Sequence, residues 1–115
     1  MVIFKSQYSC HCDGRTAVCS NQNSATLPGA LPSFINALDF TQNSLARLNF
    51  DLCRNFAQLE SLMLNENQID SIDSDSFYSC QKLTKLTLKS NQIKKLAPAM
   101  FDDLRELEIL DLRTV

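Results

Sequence analysis

Five cysteines and one histidine are the side chains of this 115-residue chain best suited to metal, redox or nucleophilic chemistry. Four of these six cluster as Cys10-His11-Cys12 and Cys19, and such a set admits either zinc or a disulfide. Asp13-Gly14 is a turn signal. A loop over 13–16 places Cys12 opposite Ala17 and Cys10 opposite Cys19, within disulfide reach. Strand alternation sends His11 to the face opposite Cys10 and Cys12, which spoils a tetrahedral zinc cage. The expectation is a disulfide-closed hairpin with His11 on its surface, and no metal or other cofactor. An enzyme is not expected either. His11 has no repeat carboxylate near it to orient it, and the sequence shows no Gly-rich phosphate loop or nucleophile elbow. The acidic run from Asp70 to Asp75 lacks the Gly and terminal Glu of a calcium loop and reads as a solvated turn.

The elements that must carry these cysteines follow from a repeat. Leu59, Leu62, Leu64, Asn67, Ile69 and Ile72 recur upstream as Ile35, Leu38, Phe40, Asn43, Leu45 and Leu48. They recur downstream as Leu83, Leu86, Leu88, Asn91, Ile93 and Leu96, and a fourth copy begins at Leu107, Leu110 and Leu112. The shift is 24 residues each time, and the frame resembles the L-x-x-L-x-L-x-x-N-x-L leucine-rich repeat. Leu62 and Leu64, two apart, point to one side of an extended segment, while Ser61, Met63 and Asn65 point to the other. One such unit cannot bury its apolar side alone, so successive units stack their strands in parallel and share a core. Asn43, Asn67 and Asn91 sit where the chain turns inward. Their amides, with donors and acceptors both, suit a ladder that satisfies buried turn backbone.

The expected class is therefore an α/β-type solenoid with short parallel strands on a concave face, an irregular convex side and a disulfide-closed hairpin cap. The cap spans 1–34, the repeats 35–58, 59–82 and 83–106, and a partial repeat 107–115. Leu27-Pro28 and Leu31-Pro32 form an extended connector between cap and repeats, because proline excludes a helix interior or central strand. At the nineteenth and twenty-second repeat positions stand Cys53, Phe77 and Phe101, then Phe56, Cys80 and Leu104, filling the convex side. Cys53 and Cys80 thus replace core residues of adjacent coils about 5 Å apart, and a bond between them is favoured over two buried thiols.

With 44% hydrophobic residues and a net charge of −2, the chain carries neither the basic excess of a nucleic-acid binder nor an acidic tail. No apolar run approaches the roughly 18 residues of a membrane span. The first four residues are too short for a secretory signal, so Met1 reads as an added or exposed start. Five cysteines in so short a chain suit an oxidising compartment.

Cys10-x-Cys12-x6-Cys19, the two Leu-Pro pairs and Leu38-x-Phe40-x-x-Asn43 together resemble the cysteine-rich cap of extracellular leucine-rich-repeat proteins. That group includes Toll-like receptors, variable lymphocyte receptors and small proteoglycans. The resemblance implies pairing of Cys10 with Cys19. It also implies a further cysteine upstream, where this chain has Ser6, so Cys12 becomes the unpaired thiol. Cys53 and Cys80 are similar to a pair in the early repeats of an RNA-sensing Toll-like receptor. The RNA-contacting residues of that member fall at Gln42 and Ala46 here, so the same contacts are not expected.

The function this implies is a binding module of an innate-immune pattern-recognition receptor, contributing to extracellular ligand recognition or receptor assembly. Alternatives are an antigen-binding variable lymphocyte receptor and a matrix or adhesion protein. A macromolecular partner is expected on the concave face, with Met63, Asn65, Glu66, Lys85, Thr87 and Lys89 as candidate contacts. The location implied is an extracellular or luminal ectodomain of a single-pass membrane receptor. The fourth copy carries no ladder Asn, and Leu107, Leu110, Leu112, Phe101 and Leu104 are expected to meet water there and support self-association.

Overall fold

A computed structural model describes residues 2–3, 10–96 and 98–114. Ser6, where the resemblance places a cysteine, and Met1 lie outside the described residues. Seven strands form one sheet: β1 (Val2–Ile3), β2 (His11–Asp13), β3 (Thr16–Val18), β4 (Ala37–Asp39), β6 (Ser61–Met63), β8 (Lys85–Thr87) and β9 (Ile109–Asp111), adjacent in that order. β1 and β2 pair antiparallel, as do β2 and β3; from β3 onward every pairing is parallel. The registers Leu38↔Leu62, Leu62↔Leu86 and Leu86↔Leu110 translate the sequence period into lateral strand pairing. A second sheet pairs β5 (Arg47–Leu48) with β7 (Ser71–Ile72), so the part expected to be irregular contains some ladder of its own. The α/β label overstates helix. Among the described residues the helical segment is one short 3-10 turn over Pro98–Phe101.

The cap hairpin turns through Gly14 and Arg15, with Asp13 paired to Thr16 and Gly14 at φ 63°. Glycine takes that left-handed conformation without the Cβ clash other residues meet, so Asp-Gly suits this tight connection. β3 then pairs with β4 (Ala17↔Leu38), so the hairpin closes the first coil by continuing its sheet. Ala17, Cys10 and Cys19 are fully buried and Cys12 is 5% exposed.

The core lies between the concave sheet and the back of the coils. Leu38, Phe40, Leu62, Leu64, Leu86 and Leu88 point into it from the strands, while Leu48, Cys53, Phe77 and Cys80 close it from behind. The Phe77 and Phe101 rings stack at 6.2 Å.

Each ladder Asn joins its own coil to the preceding one. Asn67 Nδ2 donates to the Phe40, Leu64 and Asn65 carbonyls at 3.0, 3.1 and 3.3 Å, and its Oδ1 accepts from the Leu45 amide at 3.0 Å. Asn91 repeats this with the Leu64, Leu88 and Lys89 carbonyls and the Ile69 amide. Asn43 reaches into the cap, donating to the Cys19 carbonyl and accepting from the Gln22 and Ser24 amides. The residues just before them, Gln42, Glu66 and Ser90, have φ of 57°, 57° and 61°. This left-handed step costs about 1 to 2 kcal/mol per non-glycine residue. It persists because the same residues donate their amides to the Asn65, Lys89 and Arg113 carbonyls of the next coil.

The expected exposure near the fourth copy is only partly realised. Ile109 and Leu110 are 52% and 38% exposed, but Leu104 remains 6% exposed, and Phe101, Leu107 and Leu112 are half-buried. Phe101 is covered because the turn at Pro98–Phe101 folds its ring onto Phe77.

Candidate functional site

The structure bonds Cys10 to Cys19, with Cα atoms 4.4 Å apart, and Cys53 to Cys80, with Cα atoms 5.0 Å apart. The first bond ties the hairpin that covers the first coil. The second ties the backs of two consecutive coils. Cys12 carries a free, buried thiol, and that burial pushes its pKa above the ordinary thiol range. In the native protein Cys12 should therefore resist alkylation by iodoacetamide and react once denaturant is added, read by peptide mapping without reduction. Labelling of any other cysteine, or fast native labelling of Cys12, contradicts this assignment.

The concave face is built from strand positions that alternate with the inward leucines. Read across the coils, Asp39, Met63, Thr87 and Asp111 form one row. Ala37, Ser61, Lys85 and Ile109 form the row before it. Met63, Asn65 and Lys89 are half-buried, whereas Glu66 and Lys85 are exposed. Thr87 departs from the expected open contact: it is 7% exposed, crowded between the Met63 and Asp111 strands.

Polar links bind this surface sideways. Gln42 Nε2 donates to the Glu66 carboxylate at 2.8 Å, and Asn65 Oδ1 accepts from the Lys89 backbone amide at 2.8 Å. Asn65 and Glu66 therefore already serve the lattice between coils, which leaves Met63, Lys85 and Lys89 freer to meet a partner. Arg113 donates to both oxygens of Asp111, at 3.0 and 2.7 Å. These hydrogen bonds hold the Asp111 carboxyl at a pKa of about 2. A depressed carboxylate pKa makes a contribution that is present above the unfolded value and lost as pH falls through the folded one. Carbon-detected NMR titration should place the Asp111 midpoint near 2, and Arg113→Ala should raise it part of the way toward the ordinary carboxylate range, since the backbone amide of residue 113 still donates to Asp111 Oδ1.

Sequence reasoning passed over two features of the convex side. Buried Ser76 donates its hydroxyl to the Leu48 carbonyl, and Asp51 accepts from both the amide and the hydroxyl of Ser79. Beside them lies a groove of about 290 Å³ whose lining includes Pro28, Phe50 and Phe56. Phe50, 41% exposed and outside the repeat frame, was the signal available in the sequence. The groove is at the low end of the roughly 300 to 1,000 Å³ of drug-sized ligand pockets.

This arrangement, a disulfide-closed cap continued by parallel coils around an asparagine ladder, is that of a capped repeat solenoid. The leucine-rich-repeat family model matches residues 57–114, and the chain belongs to that family. Human leucine-rich repeats and immunoglobulin-like domains protein 3 is 31% identical over 104 residues, covering 90% of this chain and 9% of its own length. Toll-like receptor 2 type-1 of Gallus gallus is 32% identical over 103 residues, covering 89% of this chain and 13% of its own length. The chain thus spans a small fraction of the relatives it matches. The crystal structure of human 5T4, the trophoblast glycoprotein, superposes with a TM-score of 0.78 at 29% identity. That match covers 92% of this chain and 40% of the solved one.

Proposed function

We propose that this chain is the amino-terminal binding module of a receptor ectodomain, recognising a macromolecule on its concave sheet. One observation carries the reading: the inward positions of every coil are committed to core and ladder, while the outward positions change chemistry from strand to strand. Asp39, Met63 and Thr87 share a row, as do Ser61 and Lys85, and none of these identities is required by the repeat. Two buried disulfides suit an extracellular or luminal compartment. Binding, with no chemical step, is what such a surface does.

The finer assignment is to the Toll-like receptors, supported by the cap motif and by the likeness to the Gallus gallus receptor. The human protein with immunoglobulin-like domains is similar over the same extent, which supports an adhesion protein as the second reading. The sequence of the full precursor separates them. A membrane span followed by a cytoplasmic Toll/interleukin-receptor domain supports the first, and immunoglobulin domains after the repeats support the second. On the ectodomain, Met63→Arg should weaken partner binding at least about tenfold, since a long cation replaces a central apolar contact. Its melting temperature should match the parent's. Undiminished binding in calorimetry removes the concave face from consideration.

A further inference from the structure

We propose that the concave face of β8 is a docking site for an acidic protein segment, held by Lys85 and Lys89 with the Thr87 hydroxyl between them. This rests on the concave face being the binding surface and names the chemistry of its partner. Thr87 is the first observation. It alternates with inward Leu86 and Leu88 and so stands on the concave side, yet it is only 7% exposed and its Oγ1 has no hydrogen-bond partner. A buried hydroxyl left unpaired is a standing cost that an incoming acceptor removes. Met63 lies directly across from it, and the flexible thioether can shift to admit one.

Charge is the second observation. Among the described residues the ion pair is Arg113–Asp111, so neither lysine ammonium is neutralised at close range. Lys85 stands between Ser61 and Ile109, and the backbone pairing places Lys89 between Asn65 and Arg113, so no carboxylate lies directly opposite either. The acid at the centre of the patch, Asp111, is hydrogen-bonded by Arg113, and the Lys89 charge acts on it only as a weaker, through-space influence. Lys85, Lys89 and Arg113 against Asp111 leave the centre of this face at three minus one, +2, with the carboxylates of Glu60, Glu66 and Glu108 around it.

The rims decide which anion fits. Glu60 and Glu108 stand at the strand starts, and Glu66 lies beyond the ends, engaged by Gln42. A uniform polyanion such as nucleic acid or sulfated polysaccharide would meet these carboxylates, whereas discrete acidic side chains need not. Lys85 opens β8 and Lys89 lies in the turn two residues past its end, so their backbones are at most roughly 13 Å apart. Two acidic residues up to four apart in an extended peptide span that range, and a peptide oxygen between them can accept from Thr87.

The test is an NMR titration of the isotope-labelled chain with a synthetic serine-rich peptide carrying two glutamates four residues apart. A matched two-lysine peptide and a heparin oligosaccharide serve as comparisons. The expected result is saturable shifts at Lys85, Thr87 and Lys89 with the glutamate peptide. Lys85→Glu/Lys89→Glu should weaken that binding at least about tenfold. Thr87→Val should weaken it about threefold or more while leaving the melting temperature unchanged or higher. Variants that fold as the parent and bind the glutamate peptide equally well overturn the proposal, as does tighter binding of heparin. Concave shifts with the lysine peptide alone would overturn the acidic partner and leave the concave-face reading standing. Failure of that broader reading shows instead as undiminished partner binding by Met63→Arg.

Discussion

Asn67→Ala should lower unfolding free energy by about 3 to 5 kcal/mol, because it strips a buried amide from four partners at once and leaves a cavity. The Leu45 amide, donating to Asn67 Oδ1 at 3.0 Å, would have no acceptor at that place. An unsatisfied buried donor by itself costs about 1 to 3 kcal/mol. The Phe40 and Leu64 carbonyls each lose one of two side-chain donors, since Asn43 also serves Phe40 and Asn91 also serves Leu64. That sharing makes a further outcome specific. Asn43→Ala combined with Asn67→Ala should depart from additivity, whereas sites far apart usually add within about 0.5 kcal/mol. Asn67→Asp should be worse than alanine, for it loses the donors and sets a carboxylate against three carbonyl oxygens. Urea unfolding followed by circular dichroism checks all three. A loss below about 1 kcal/mol for Asn67→Ala would mean that water replaces the ladder at little cost.

Removal of the Cys53–Cys80 bond is the second large effect. The half-cystines are 27 residues apart in sequence, and closing such a loop restricts the unfolded chain by about 3 to 4 kcal/mol in the chain-entropy treatment. The Cys10–Cys19 loop, 9 residues in separation, should contribute about 1 kcal/mol less on the same basis. Domains of this size are stable by about 5 to 15 kcal/mol, so losing the longer staple removes a large share. Both sulfurs are buried, so Cys53→Ala/Cys80→Ala adds some lost packing to the entropic effect. The double variant should unfold at a clearly lower guanidinium midpoint under oxidising conditions. Equal midpoints would show that the bond contributes nothing to stability.

Much of the fold was legible because a period of 24 residues has few physical solutions. Alternation assigned Leu62 and Leu64 to the core and Met63 to the outside, and constant spacing set the parallel registers, since equal coils stack in phase. The ladder asparagines were legible for the same reason: a turn repeated in phase needs the same partner each time. The cap hairpin followed from Asp13-Gly14, whose turn puts Cys10 beside Cys19.

What the repeat frame does not specify, only the tertiary structure decided. The left-handed backbone at Gln42, Glu66 and Ser90 has no residue signature, because it is imposed by hydrogen bonds from the next coil. The pairing of β1 with β2, and the small sheet behind the core, depend on segments that meet only once the chain has folded back on itself. Strand alternation placed Thr87 correctly on the concave side, but its burial and its unpaired hydroxyl come from the neighbouring strands that crowd it. Likewise Leu104 lies within the last complete coil yet stays covered, because exposure depends on how the turn at Pro98–Phe101 folds over the core. Periodicity assigns a side chain to a face; its accessibility is set by the sizes and conformations of residues 24 positions away on either side, and these exist as neighbours only in the stacked coils.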